Sequence, residues 1–224
     1  VSDSDVDAMY NDYVEMAKKA LEADKVSYEM DKTLTWVYVP EGTRLADQIL
    51  VAFDSETQNA IKEARSSGDN ASADKIRTEA YNAEMQEKVN NIYSLIKSGS
   101  DFNELQATYN EDGTNDPYAV IPDSGLYVPE FTEAIFSVKN VGDVADPAVS
   151  DYGVHIIRYD GDEKVTEEEK TEIFASMKDF LIYQEETAIN EAAYVEWMAR
   201  YPYTIDYELI KVTPSETEEE TVTE

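Results

Sequence analysis

The chain contains no cysteine and only one histidine among 224 residues. Without thiols there are no disulfides, no thiolate nucleophile and no cysteine-ligated zinc, and cysteine pairing says nothing about the redox compartment. A single imidazole also excludes histidine-pair zinc sites and any HExxH helix. Basic side chains are scarce: 18 Lys and Arg face 49 Asp and Glu, a formal net charge of −31. Such a field repels nucleic acid and anionic membrane, which removes nucleic acid as a partner and favours cationic partners or counter-ions around a solvated acidic surface. Long apolar runs are missing too. None approaches the roughly 20 residues that cross a bilayer, and no basic-then-apolar leader opens the sequence. The start, "VSDSDVDAMYNDY", reads as that of a trimmed mature chain.

What is present is enough for a core, since 42% of residues are hydrophobic, and the length suits one domain or two small ones. Val6, Met9, Tyr10, Tyr13, Met16, Ala17 and Ala20 recur at spacings of three and four and form one apolar helix face. "TLTWVYVPEG" then reads as an extended segment ending at Pro40, and a short apolar strand is expected from about Ala46 to Phe53. Residues 57–96 are helical apart from a turn at "SSGDN" (66–70), as a helix pair or an overlong surface helix. A short helix opens at Ser100 or Asp101 with Phe102, Leu105 and Tyr109 inward. "EDGTNDP" (111–117) is a turn region, "PEFTEAIFSV" a further helix, and "GVHIIRY" a strand whose His155, Ile157 and Tyr159 share one face.

After Asp162 the pattern is helical to about Arg200. A Thr166–Glu169 capping box opens this helix, and Ile173, Met177, Phe180, Leu181 and Ala188 stripe it. "YTIDYELIKV" alternates like a last strand, and residues 213–224 form a solvated, disordered acidic tail. The order of elements predicts an α+β fold in which two terminal helical segments pack on each other and the middle is inserted between them. A homodimer, in which a second copy supplies the missing partner by swapping, is the alternative to that closure.

Three blocks carry a resemblance. "ADQILV" (46–51), "SGSDFNELQATYNED" (98–112) and "VPEFTEAIFSVKNVGDVADPAVSDYGVHIIRY" (128–159) are similar, in order, to the parvulin-type peptidyl-prolyl isomerase domain. The flanking helices resemble those of secreted foldases of the PrsA and SurA type. The resemblance implies a four-stranded antiparallel sheet with surrounding helices (44–160), a helical insertion at about 57–96, and chaperone-like helical segments at 1–43 and 161–212. It implies that His155 is the second histidine of the family's paired-histidine core, Ser150 its hydroxyl partner, and Asp112 the acidic residue beside the substrate carbonyl. Phe131 and Tyr127 match the proline pocket and its rim. Gln48 stands where the first histidine normally is. Residues 113–126 depart from the family's glycine-rich loop, so the apolar wall falls to Ile121 or Leu126. Taken alone, His155 reads as a satisfied core side chain and Asp112 as a turn former or part of a weak cation site.

The implied activity is cis-trans isomerisation of prolyl bonds in unfolded or exported clients, with no cofactor and no metal, and weakened by Gln48. The alternative is a non-catalytic chaperone that holds unfolded chains; an acidic structural protein of the cell surface is a more distant one. The family further implies an extracytoplasmic setting, as a lipoprotein whose only membrane attachment is a lipid-modified N-terminal cysteine that this sequence does not contain.

Overall fold

The structure, a computed structural model, describes residues 1–203. It divides into two compact units, residues 2–177 and, separately, Val1 with the described residues 178–203. The expected last strand and acidic tail lie outside the described residues.

The first unit is built on a four-stranded antiparallel sheet, β1 (Arg44–Ala52), β2 (Tyr118–Val120), β3 (Ala148–Val149) and β4 (Gly153–Asp162), in the order β2-β1-β4-β3. The central pair runs from Ala46 opposite Tyr159 to Ala52 opposite Gly153, with a register shift between Leu45 and Ala46. Side chains alternate along each strand, so the sheet has two differently covered faces. Ile49, Val51, Val154 and Ile156 form one core with Ile61, Ala73, Val89, Ile92 and Phe102. Those partners come from α4 (Ser55–Ser66), α5 (Asn70–Ala80), α6 (Gln86–Lys97) and α7 (Phe102–Tyr109). Ala46, Ile157 and Tyr159 form the other core with Phe131, Ala134 and Ile135 of α8 (Pro129–Ser137).

Residues 55–97 therefore form a packed helix pair. Its tip lies at Ser67–Asp69, where Gly68 takes φ +81°, and its second arm passes through a π turn at Tyr81–Met85. Asp101 caps α7 by accepting the N–H groups of Asn103 and Glu104 at 2.8 and 3.0 Å, as a helix opening there requires.

The N-terminal segment holds α1 (Asp3–Ala23), α2 (Lys25–Met30) and α3 (Lys32–Val37). The extended segment expected across 33–40 is a helix as far as Val37 instead. Asp31 caps it, accepting the N–H groups of Thr33 and Leu34 at 2.9 and 3.1 Å, and Val37 is buried. β-branched residues cost a helix only tenths of a kcal/mol each, so the cap and burial prevail. Tyr10 of α1 meets Phe174, near the start of α9 (Glu167–Arg200), with ring centroids 5.1 Å apart. Ile173 and Met177 are buried alongside. Among the described residues no helix is long and apolar enough to cross a membrane.

Candidate active site

The α8-facing side of the central strand pair buries two polar side chains, Gln48 and His155, among apolar neighbours. His155 lies opposite Leu50, and Gln48 lies opposite Ile157, so Gln48 and His155 are diagonal neighbours on one face. Both are buried, Gln48 at 6% and His155 at 5% exposure. A buried polar group must be paired, and here the pairing has a direction.

Gln48 donates its amide N–H to the Asp112 carboxylate, which leaves its carbonyl Oε1 facing His155 Nδ1 at 2.9 Å. A carbonyl only accepts, so Nδ1 carries the proton. Burial lowers the His155 pKa to about 4, against the opposing pull of Asp112 and Glu130. The ring is thus neutral near pH 7, and its bare Nε2 accepts from Ser150 Oγ at 2.7 Å. Ser150 Oγ in turn accepts from the Tyr152 N–H at 3.1 Å. Every proton from Tyr152 through Ser150, His155 and Gln48 points towards Asp112. Tyr118 adds a last donor, its hydroxyl 2.6 Å from the same carboxylate oxygen. Burial, followed by the hydrogen bond to Asp112 and then its charge, pushes the Tyr118 phenol up to about 12, which keeps it a donor.

Above this chain lies a cavity of about 360 Å³ whose lining includes Gln48, Asp112, Tyr118, Tyr127, Phe131 and His155. Phe131 meets the His155 ring edge-on at 5.7 Å. Tyr118 stands edge-on to Phe131 at 5.8 Å and to Tyr127 at 5.7 Å, and Tyr127 and Phe131 are 5.3 Å apart. Three aromatic rings beside a polar floor make a pocket sized for a small apolar ring.

The residues singled out in the sequence are brought together with one exception. Leu126, 40% exposed, lines the cavity rim. Ile121 is buried and lines a neighbouring cavity instead, because β2 ends at Val120 and the chain turns there towards α2. Tyr118 joins Leu126 in the apolar wall; sequence reading missed it just after the turn region 111–117. Its only sequence signal is an aromatic directly after Pro117. A second unforeseen feature is the support of the Ser150 turn. Arg65 grips Asp151 with two nitrogens, at 2.8 and 3.0 Å, and Arg77 reaches Asp151 at 3.3 Å and Glu130 at 3.0 Å. The inserted helices thereby brace the turn that carries the His155 partner. The described residues contain no cluster of three or more His, Asp or Glu side chains arranged to hold a metal ion.

Residues 49–161 match the family model described as rotamase, PPIC-type PPIase domain. The chain belongs to this family. The chain is 33% identical over 113 residues to the foldase protein PrsA of Geobacillus kaustophilus, covering 49% of this chain and 38% of that protein. It is 31% identical over 108 residues to PrsA of Caldanaerobacter subterraneus, covering 47% and 34%. The match thus spans little more than a third of the length of these curated relatives. Among solved structures, PrsA from Bacillus subtilis is 20% identical with TM-score 0.35, covering 93% of this chain and 79% of that one. TbPIN1 is 23% identical with TM-score 0.37, covering 54% and 98%. Within the PPIase domain, the match begins one residue after Gln48.

Proposed function

We propose that the chain isomerises prolyl peptide bonds in unfolded or exported polypeptides. The observation that carries this is the proton-ordered chain from Ser150 to Asp112 lying under the Phe131–Tyr127–Tyr118 pocket. Rotation about the prolyl amide meets a barrier of ~18–20 kcal/mol set by resonance, and takes tens to hundreds of seconds unaided. That resonance places negative charge on the carbonyl oxygen. A carboxylate beside that oxygen disfavours the planar amide more than the twisted one, whose oxygen has lost charge. The Asp112 carboxylate, held by Gln48 and Tyr118, supplies that field, and the aromatic pocket grips the proline ring so that the field acts on a fixed geometry. No bond to the protein forms or breaks.

Exchange NMR on a short Xaa-Pro peptide, without a coupled protease, tests the proposal. Accelerated cis-trans exchange is expected with wild-type protein, and weaker exchange with Asp112→Ala. Unchanged exchange at equimolar, folded protein would overturn it.

A second reading, client holding without catalysis, draws on the later part of α9. There Phe180, Tyr183, Ile189, Tyr194, Val195 and Trp197 are each 45–67% exposed. In this reading the helical segments 1–43 and 161–212 form one client-holding module around 44–160, which the Tyr10–Phe174 contact supports. Light scattering of a denatured client should then fall in the presence of wild type and His155→Ala alike. We infer further that Gln48 weakens catalysis, and that the protein works outside the cytoplasm as a lipid-anchored protein at the outer face of the membrane. Fractionation of cells producing the protein checks the location.

A further inference from the structure

Tyr118, Leu126 and Tyr127 form one wall of the proline pocket and, from their other side, one wall of a second cavity of about 350 Å³. Its remaining lining includes Tyr28, Trp36, Pro40 and Pro117. Glu29 also lines it, and the chain satisfies its carboxylate at one oxygen only. Glu29 of α2 is only 7% exposed. Its Oε1 accepts from Ser124 Oγ at 2.6 Å, while its buried Oε2 has no hydrogen-bond partner. Lys32, Glu163, Lys164 and Glu169 also line the cavity, but Lys32 and Lys164 are exposed side chains, and neither is bonded to Oε2.

The loop carrying Ser124 is held against α2 at several points. Lys25 Nζ donates to Pro122 O at 3.2 Å, and Gly125 packs so closely that an added Cβ would stand 2.8 Å from Val26 Cγ2. The carboxylate is therefore a fixed feature of the cavity. Burying an ionised carboxylate with one oxygen unpaired is costly unless a ligand supplies the missing donor. The donor that suits a carboxylate among aromatic rings is an ammonium or guanidinium, whose alkyl stem lies on the rings while its head meets the oxygen.

We propose that this cavity is a specificity subsite for a Lys or Arg side chain of the client, flanking the prolyl bond held next door. The proposal rests on the isomerase reading for its register. Successive Cα atoms lie about 3.8 Å apart, so crossing a wall one aromatic ring thick places the basic residue about one to three residues from the proline.

The test uses heptapeptides with a single proline, carrying Lys, norleucine or Glu at each position within three residues of it on either side. A further peptide carries Lys at a distant end. Exchange NMR gives kcat/KM and calorimetry gives Kd, for wild type and Glu29→Gln. At one register Lys should exceed norleucine by about tenfold, the size expected of one charge-assisted hydrogen bond, and Glu should fall below norleucine. In Glu29→Gln the Lys-to-norleucine ratio should drop towards one. A Lys preference that is equal at every position reports only the overall negative charge and overturns the subsite. So does a preference that survives in Glu29→Gln. The register scan on wild type decides the matter even if that variant does not fold. Should every peptide be silent in exchange while binding still shows the Glu29-dependent register, the isomerase reading fails and the subsite stands. Exchange that proceeds without discriminating the three side chains leaves the isomerase standing and removes the subsite.

Discussion

Gln48 Oε1 and His155 Nδ1 face each other at 2.9 Å across the two central strands, and this contact sets the tautomer of the only histidine. Histidine at position 48 can play the same double part, accepting from His155 with one nitrogen and donating to Asp112 with the other. It can also share a proton, which an amide cannot. Gln48→His should raise kcat/KM for Xaa-Pro exchange by about tenfold, equivalent to ~1.4 kcal/mol of barrier. Gln48→Leu should lower it, since it strands the His155 N–H and removes a donor from Asp112.

Tyr118→Phe keeps the ring stack and deletes one donor to Asp112. The loss of a hydrogen bond to a charged group, about 1 kcal/mol or more, should reduce kcat/KM by roughly fivefold or more. Because the apolar wall survives, peptide Kd should hold nearly steady, and a large change in Kd would mean that the hydroxyl contacts the client directly.

Phe131 is both a pocket wall and a core side chain, 3% exposed. Phe131→Ala should cost about 3–5 kcal/mol of stability and abolish measurable exchange at temperatures where urea titration still shows a folded protein. Full activity in such a protein would remove the pocket from the site.

Burial lowers the His155 pKa from its ordinary value to about 4. The folded state therefore prefers the neutral ring, and the group's contribution to stability is complete above pH ~6.5 and lost as pH falls towards 4. The difference is on the order of 3 kcal/mol. Urea midpoints of wild type and His155→Gln, measured from pH 7 to pH 4, should show the wild-type value falling more steeply. Parallel curves would mean that the imidazole is solvated.

Gly153 opens β4 at φ +147°, and a Cβ there would stand 2.2 Å from Val51 O. Gly153→Ala should destabilise the domain by about 2–3 kcal/mol. It should also disturb the Ser150 turn, because the Ser150 N–H bonds to Gly153 O at 2.8 Å. Thermal unfolding combined with the His155 ring NMR shifts would detect both effects.

Local pattern carried much of this protein. The apolar stripe of α1, the helical pattern of 57–96, the helix start at Asp101 and the alternation of β4 are properties of neighbouring residues, so they can be read one segment at a time. The motif blocks likewise placed Gln48, Asp112, Phe131 and His155 in one site. Residues 33–37 misled because their β-branched and aromatic character signals a strand, whereas a cap from Asp31 and burial of Val37 made a helix. Tyr118 stayed hidden because a three-residue strand has too few positions to show a period.

The direction of the protons could not be read from sequence at all. It depends on which end of the Gln48 amide, oxygen or nitrogen, faces which nitrogen of His155, and that follows from a register bringing together side chains 107 positions apart. The same holds for Glu29, an ordinary acidic residue in a chain with 49 acids. Only tertiary packing removed it from water beside the aromatic wall and left one of its oxygens without a partner.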